Sequence, residues 1–298
     1  MFYLYPNELT ARAQPSGGGL SPTVVSGSTL GPAGRHRVLL LFHGYANSVD
    51  AARTSYSLFL DNFAKQFSEG KSFLADVFKF YWPGDERELI LSLASYSFQI
   101  AHARDSGKLL AGYLAALPTS PTGSTDFYLI AHSLGNRVIL ELLQEIIGLE
   151  ADGKTRAGLN FTGIFMMAAA VPVAQVEKSG ELHGPSVLAR RRWVLYSPSD
   201  LALRFFPIGE TFGFDGLNPQ AVGRFGEPLA QWTMPQIMPG YGHSDYWPKE
   251  TTSFQLARFL GVSVPNQLPV NQIASNPGQA ASASHLPSRS MPQAHSLP

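Results

Sequence analysis

The chain contains no cysteine, which excludes disulfides, thiolate zinc sites and cysteine nucleophiles together, although it does not fix the compartment. Charge of one sign is also missing. Lys plus Arg number 22 and Asp plus Glu number 22, so no net field draws the protein toward nucleic acid or an anionic membrane. Long apolar runs are lacking too. The longest, residues 161–174, is too short to span a bilayer, and residues 1–10 lack the basic start and apolar stretch of a secretory signal. The expectation is a soluble cytoplasmic protein that takes a neutral small molecule and makes no stable membrane insertion. No internal repeat is present.

What the sequence does contain is globular. Its 298 residues are 44% hydrophobic, enough to bury a large core in one domain. Residues 2–5 read as a possible edge strand, and residues 11–36, dominated by Gly, Ser, Pro and Thr, as a flexible loop; together 1–36 form an N-terminal segment. Residues 263–298 carry repeated Pro, Ser, Gln and Ala and one charge, Arg289, and read as a disordered tail, a candidate interaction segment for an unknown partner. The working domain is therefore 37–262.

Within it, short apolar runs at 38–42, 77–81, 127–131, 161–167 and 193–196 alternate with helical patterns. That alternation predicts an α/β fold, a mostly parallel central sheet with helices on both faces. The helical patterns are Tyr56 to Phe67 behind Asn47 and Ser48, a second region over 86–117, a third over 139–147 with Arg137, Glu141 and Glu145 on its polar face, and a last one over 252–260.

Two motifs compete for the chemistry. Ala131-His132-Ser133-Leu134-Gly135 fits the G-x-S-x-G nucleophile elbow with alanine in the first small position. Such a pentapeptide arises by chance in roughly one chain in five of this length. Gly148-x4-Gly153-Lys154-Thr155 fits the phosphate-loop formula and is roughly twenty times rarer. Context reverses the order. A phosphate loop needs a strand before it and a helix after it, whereas here a helix precedes and a strand follows. The elbow has the strand, the turn and the amphipathic helix that it requires.

A serine hydroxyl needs an imidazole to take its proton and a carboxylate to orient that imidazole. Among eight histidines, His36, His102, His183, His285 and His295 are misplaced, His132 should point away from Ser133, and His43 belongs to a structural loop. His243 remains, in a loop before the last helix. Asp200 follows the strand at 193–196 and gives the chain order Ser, Asp, His; its competing role is a cap for a helix starting near Leu201. Asp245 is the runner-up. The oxyanion donors expected are the N–H groups of Leu134 and of Tyr45, the latter aimed by the tight backbone at Gly44.

Leu41-Phe42-His43-Gly44-Tyr45, Phe80-Tyr81-Trp82-Pro83-Gly84 and Ala131-His132-Ser133-Leu134-Gly135-Asn136-Arg137 resemble, as a set, a bacterial group of α/β hydrolases of uncharacterised function. The resemblance implies a Ser-Asp-His triad on Ser133, Asp200 and His243, with no metal or organic cofactor. Members of that group often carry Pro-Asp after the strand that follows the elbow helix, but here Pro172 is followed by Val173, which leaves Asp200 as the acid. The function expected is cleavage of a carboxylic ester through an acyl-enzyme on Ser133. The alternatives are an inactive hydrolase scaffold used for binding and, further off, a phosphate-loop nucleotide hydrolase. The stretch 201–242, with Phe205, Phe206, Phe212, Phe214 and Trp232, is read either as an apolar acyl wall or as a satellite cluster under long loops.

Overall fold

The five apolar runs become the centre of a sheet because each is flanked on both sides by helices and can bury both faces. In the computed structural model, described here for residues 7–14, 17–26, 37–67, 73–84, 93–117, 123–154, 158–205, 220–228 and 231–262, they form β3 (Arg37–Phe42), β4 (Asp76–Tyr81), β5 (Thr125–His132), β6 (Leu159–Met167) and β7 (Arg191–Tyr196). Three further strands complete an eight-stranded sheet: β1 (Asn7–Gln14), β2 (Gly17–Ser26) and β8 (Met234–Ile237). The order is β2-β1-β4-β3-β5-β6-β7-β8, and every described pairing is parallel except that of β1 with β2.

The N-terminal segment therefore differs from the expected loop. β1 and β2 occupy much of it, and Leu9 and Ala11 of β1 are fully buried, while residues 2–5 lie outside the described residues. Gly and Pro are tolerated in β2 because an edge strand leaves half its backbone unpaired. The tail at 263–298 also lies outside the described residues.

Side chains alternate between two cores along each central strand. Val38, Leu40, Phe42, Phe127, Leu129 and Ala131 face α2 (Leu93–Ala115) and α3 (Gly135–Ala151). Leu39, Leu41, Tyr128 and Ile130 face α1 (Val49–Ala64) and α8 (Glu250–Phe259), which contribute Tyr56, Phe59, Phe63, Leu256 and Phe259. Ser48 caps α1 through its hydroxyl, which accepts the Ala51 N–H at 3.2 Å. The polar face expected for α3 is only partly solvated: Glu145 is partly exposed, but Arg137 and Glu141 are buried, and the Arg137 guanidinium donates to Glu141, Gln175 and Glu181. Among the described residues, no helix is long and apolar enough to cross a membrane.

Candidate functional site

Parallel strands deliver their following loops to one edge of a sheet, and the candidate residues all follow strands. Ser133 comes directly after β5, where the chain must turn sharply to enter α3. Its φ is 53°, in the left-handed region, a conformation that costs about 1–3 kcal/mol for a residue with a side chain. The surrounding bonds over-determine it. The Ser133 N–H donates to Met167 O at 3.0 Å, and Ser133 O accepts from the N–H groups of Asn136 and Ala170 and from Asn136 Nδ2 at 2.9 Å.

Close packing explains the small residues around this turn. A Cβ at Gly135 would stand 2.5 Å from His43 O and 2.8 Å from Phe42 O, so α3 can start against the end of β3 only with glycine there. A Cβ at Gly44 would stand 2.8 Å from Ser133 Cβ, so the loop after β3 rests directly on the serine. The left-handed residue of that loop is Ala46, at φ 59°, rather than Gly44. Gly44 is required for proximity.

His43 holds this loop without facing the serine. Its ring stacks on Trp82 at 5.5 Å between centroids, its Nε2 accepts the Trp82 N–H at 3.3 Å, and its carbonyl accepts Trp82 Nε1–H at 2.9 Å. The remaining ring nitrogen, Nδ1, donates to Gly44 O at 2.8 Å, which fixes the tautomer. The His43-Gly44-Tyr45 and Trp82-Pro83-Gly84 motifs are thus two halves of one interlocked platform, completed by the Ala46 N–H donating to Gly84 O at 2.7 Å.

His243 opens a 3-10 turn, His243–Asp245, after β8, and its ring bridges two groups more than forty residues apart from it in sequence. Nε2 lies 2.8 Å from Ser133 Oγ, and Nδ1 lies 2.8 Å from Asp200 Oδ2. Asp200 is fully buried and follows β7 through a turn closed by its own N–H to Ser197 O. The two contacts weighed for it from sequence coexist: Oδ2 meets the His243 ring while Oδ1 accepts the Leu203 N–H at the start of α6 (Ala202–Phe205). Ser133 Oγ, by contrast, does not cap α3, whose first turn carries no side-chain cap bond.

Asp245 sits elsewhere. Its Oδ2 accepts the Gly242 N–H at 2.8 Å and the Lys249 ammonium at 2.9 Å, and these, Lys249 foremost, hold its carboxyl below the ordinary range. Leu134 stands just ahead of α3, where amide N–H groups have no intrahelical acceptor. Tyr45 follows Gly44 on the platform, and its carbonyl accepts Asn47 Nδ2 at 3.2 Å.

His132 escaped the sequence reading. Its ring does point away from Ser133, but its Nε2 lies 2.7 Å from the main-chain oxygen of His243, a contact between residues 111 positions apart that no local pattern announces. The phosphate-loop formula is dismantled by the fold: Gly148 lies inside α3, Gly153 turns the chain at φ 66°, and Lys154 pairs in solvent with Asp152 at 2.8 Å. Thr155 lies outside the described residues, as do Phe206, Phe212 and Phe214. Trp232 is buried in the core on the α2 and α3 side of the sheet.

Serine hydroxyl, imidazole and carboxylate in line can pass a proton from oxygen to nitrogen while the carboxylate steadies the resulting imidazolium. Among the described residues no three histidine, aspartate or glutamate side chains cluster as a metal site would need. A gene product of Listeria innocua is similar in structure, at 11% identity and a TM-score of 0.43, over 80% of this chain and 97% of that one. Lipase B of Aspergillus fumigatus is similar at 11% identity and a TM-score of 0.38, over 86% of this chain and 65% of that one. No curated protein matches the sequence. A protein family described as alpha/beta hydrolase of unknown function (DUF900) matches residues 27–208, a span that includes Ser133 and Asp200 and ends before His243. More than half of the sequence lies in that match, and its parallel sheet, strand-to-helix serine turn and loop order are those of the fold: the chain belongs to this family of α/β hydrolases.

Proposed function

We propose that the protein is a serine hydrolase that cleaves a carboxylic ester of a small neutral substrate through an acyl-enzyme on Ser133. One observation carries the reading: the His243 ring stands at 2.8 Å from both Ser133 Oγ and Asp200 Oδ2. In the first half-reaction Ser133 Oγ attacks the ester carbonyl while His243 Nε2 takes its proton, and buried Asp200 stabilises the imidazolium. Negative charge gathers on the former carbonyl oxygen, and on this reading the N–H groups of Leu134 and Tyr45 receive it. Losing one such donor typically costs about a hundredfold or more. Collapse expels the alcohol, which takes the proton from His243. Water then attacks the acyl carbon as its proton passes to the same nitrogen, and collapse breaks the bond to Ser133 Oγ, which takes that proton from His243 as the carboxylic acid leaves.

The test is covalent labelling. A fluorophosphonate probe should modify Ser133, identified by peptide mass, and leave the Ser133→Ala variant unmodified, because only an activated serine attacks such a phosphorus centre at neutral pH. p-Nitrophenyl esters of graded acyl length should be turned over by the wild type alone. Folded wild-type protein that is neither labelled nor active on any of them would replace this reading with that of a binding scaffold.

A further inference from the structure

The mechanism above gives His132 no task, yet this residue touches both sides of the site. It ends β5 on the same face as Tyr128 and Ile130, where its ring packs at 6.0 Å from Tyr246 and at 6.0 Å from Trp247. Nε2 is 2.7 Å from the His243 main-chain oxygen. A carbonyl can only accept, so Nε2 carries the proton and Nδ1 is a bare lone pair, which has no partner among the described residues. On that other side lies Gly44, where an added Cβ would stand 3.0 Å from Nδ1. The ring is therefore wedged between the main chain of Gly44 and that of His243. Two successive residues grip opposite ends of His243: Ser133 meets its ring and His132 its carbonyl.

We propose that His132 is a positioning residue, which fixes the main chain of His243 against the Gly44 platform and so sets the line along which the imidazole meets the Ser133 hydroxyl. The inference rests on the acyl-transfer reading. Burial first, and then the neighbouring His243, lowers the His132 pKa to about 3, so the ring is neutral at working pH and its donor role is the same when His243 gains a proton. The constraint matters because an error of about 1 Å in the placement of a reacting group can cost about a hundredfold in rate.

The experiment compares full-length His132→Phe, His132→Gln and His132→Asn with the wild type, reading kcat and KM on a p-nitrophenyl ester, the rate of Ser133 labelling by a fluorophosphonate, and Tm. Phenylalanine keeps the ring volume and removes the donor, whereas the glutamine amide can place an N–H near the position of Nε2 and the shorter asparagine cannot. His132→Phe should lower kcat and the labelling rate by about ten- to hundredfold with KM nearly unchanged, and His132→Gln should recover most of that loss. Wild-type rates in a folded His132→Phe, or equal impairment of His132→Gln and His132→Phe at matched Tm, would overturn the inference. If His132→Phe fails to fold, the decision passes to the amides: glutamine faster than asparagine supports the proposal, and equal rates overturn it. A wild type that is neither labelled nor active defeats the acyl-transfer reading and this one with it, whereas a labelled wild type with an unimpaired His132→Phe defeats this one alone.

Discussion

Asp200 accepts the Leu203 N–H at Oδ1, 3.1 Å away, which turns its second oxygen toward His243. Asp200→Asn can keep the first bond and the shape while losing the charge that steadies an imidazolium. It should lower kcat by about a thousandfold or more with little change in Tm. Asp245→Asn should lower it less than about tenfold, since that carboxylate engages Gly242 and Lys249 instead. The reverse ranking in steady-state kinetics would make Asp245 the acid.

Gly44→Ala tests the platform. Its new Cβ would press on Ser133 Cβ and on the His132 ring, at 2.8 and 3.0 Å, both of which must give way. Turnover should fall by about a hundredfold, through displacement of the serine and of the Tyr45 amide together. Gly135→Ala, facing main-chain atoms of Phe42 and His43 rather than movable side chains, should instead be read in Tm, with a loss of about 1–3 kcal/mol.

His132 also predicts a pH dependence of stability. Its folded pKa, about 3, lies below the ordinary histidine value of about 6.5, so the unfolded chain binds the proton first. The contribution is fully present above pH about 6.5 and is lost as pH falls toward about 3, with a slope approaching about 1.4 kcal/mol per pH unit. Urea unfolding at pH 7, 6, 5 and 4 should show a shallower decline for His132→Gln than for the wild type. Parallel curves would refute the assignment.

Lys154→Ala should change nothing of substance. Lys154 is exposed, pairs across the turn with Asp152, and follows a helix rather than a strand, which is not the setting of a bound phosphate. Stability should move by less than about 0.5 kcal/mol, and ATP should leave Tm unaltered in both proteins. A nucleotide-dependent rise in Tm that Lys154→Ala abolishes would restore the phosphate-loop reading.

The centre of the fold was legible because β3, β5 and β6 are largely buried on both faces and so read as mostly apolar runs. The edges were not. β2 carries three glycines and a proline, and β8 carries Pro235, features that spell a turn locally and are permitted only where a strand has one neighbour. Ser133 announced itself through local sterics, since a sharp turn needs small residues at fixed offsets. Asp200 was found by its place after a strand and His243 by elimination among the eight histidines; the structure brings the His243 ring to Ser133 and Asp200 to that ring. The contact of His132 with His243 depends on how a 3-10 turn settles over the end of β5, which is tertiary information. Arg137 and Glu141 misled in the other direction: helical spacing grouped them on a polar face, but both are buried, paired with each other, with Arg137 also bonded to Gln175 and Glu141 set against Gly107 of α2.

The distance in sequence between Ser133 and His243, 110 residues, has a consequence for assembly. β5, β6 and β7 are neighbours in both sequence and sheet, whereas the imidazole is carried by the chain beyond β8, which pairs at the far edge of the sheet, and Ser197 Oγ donates to Tyr241 O at 2.8 Å to hold that chain. On the acyl-transfer reading, reactivity of Ser133 toward a phosphonate during refolding should report closure of this long-range contact, and it should trail the recovery of helical circular dichroism, which needs only local bonds.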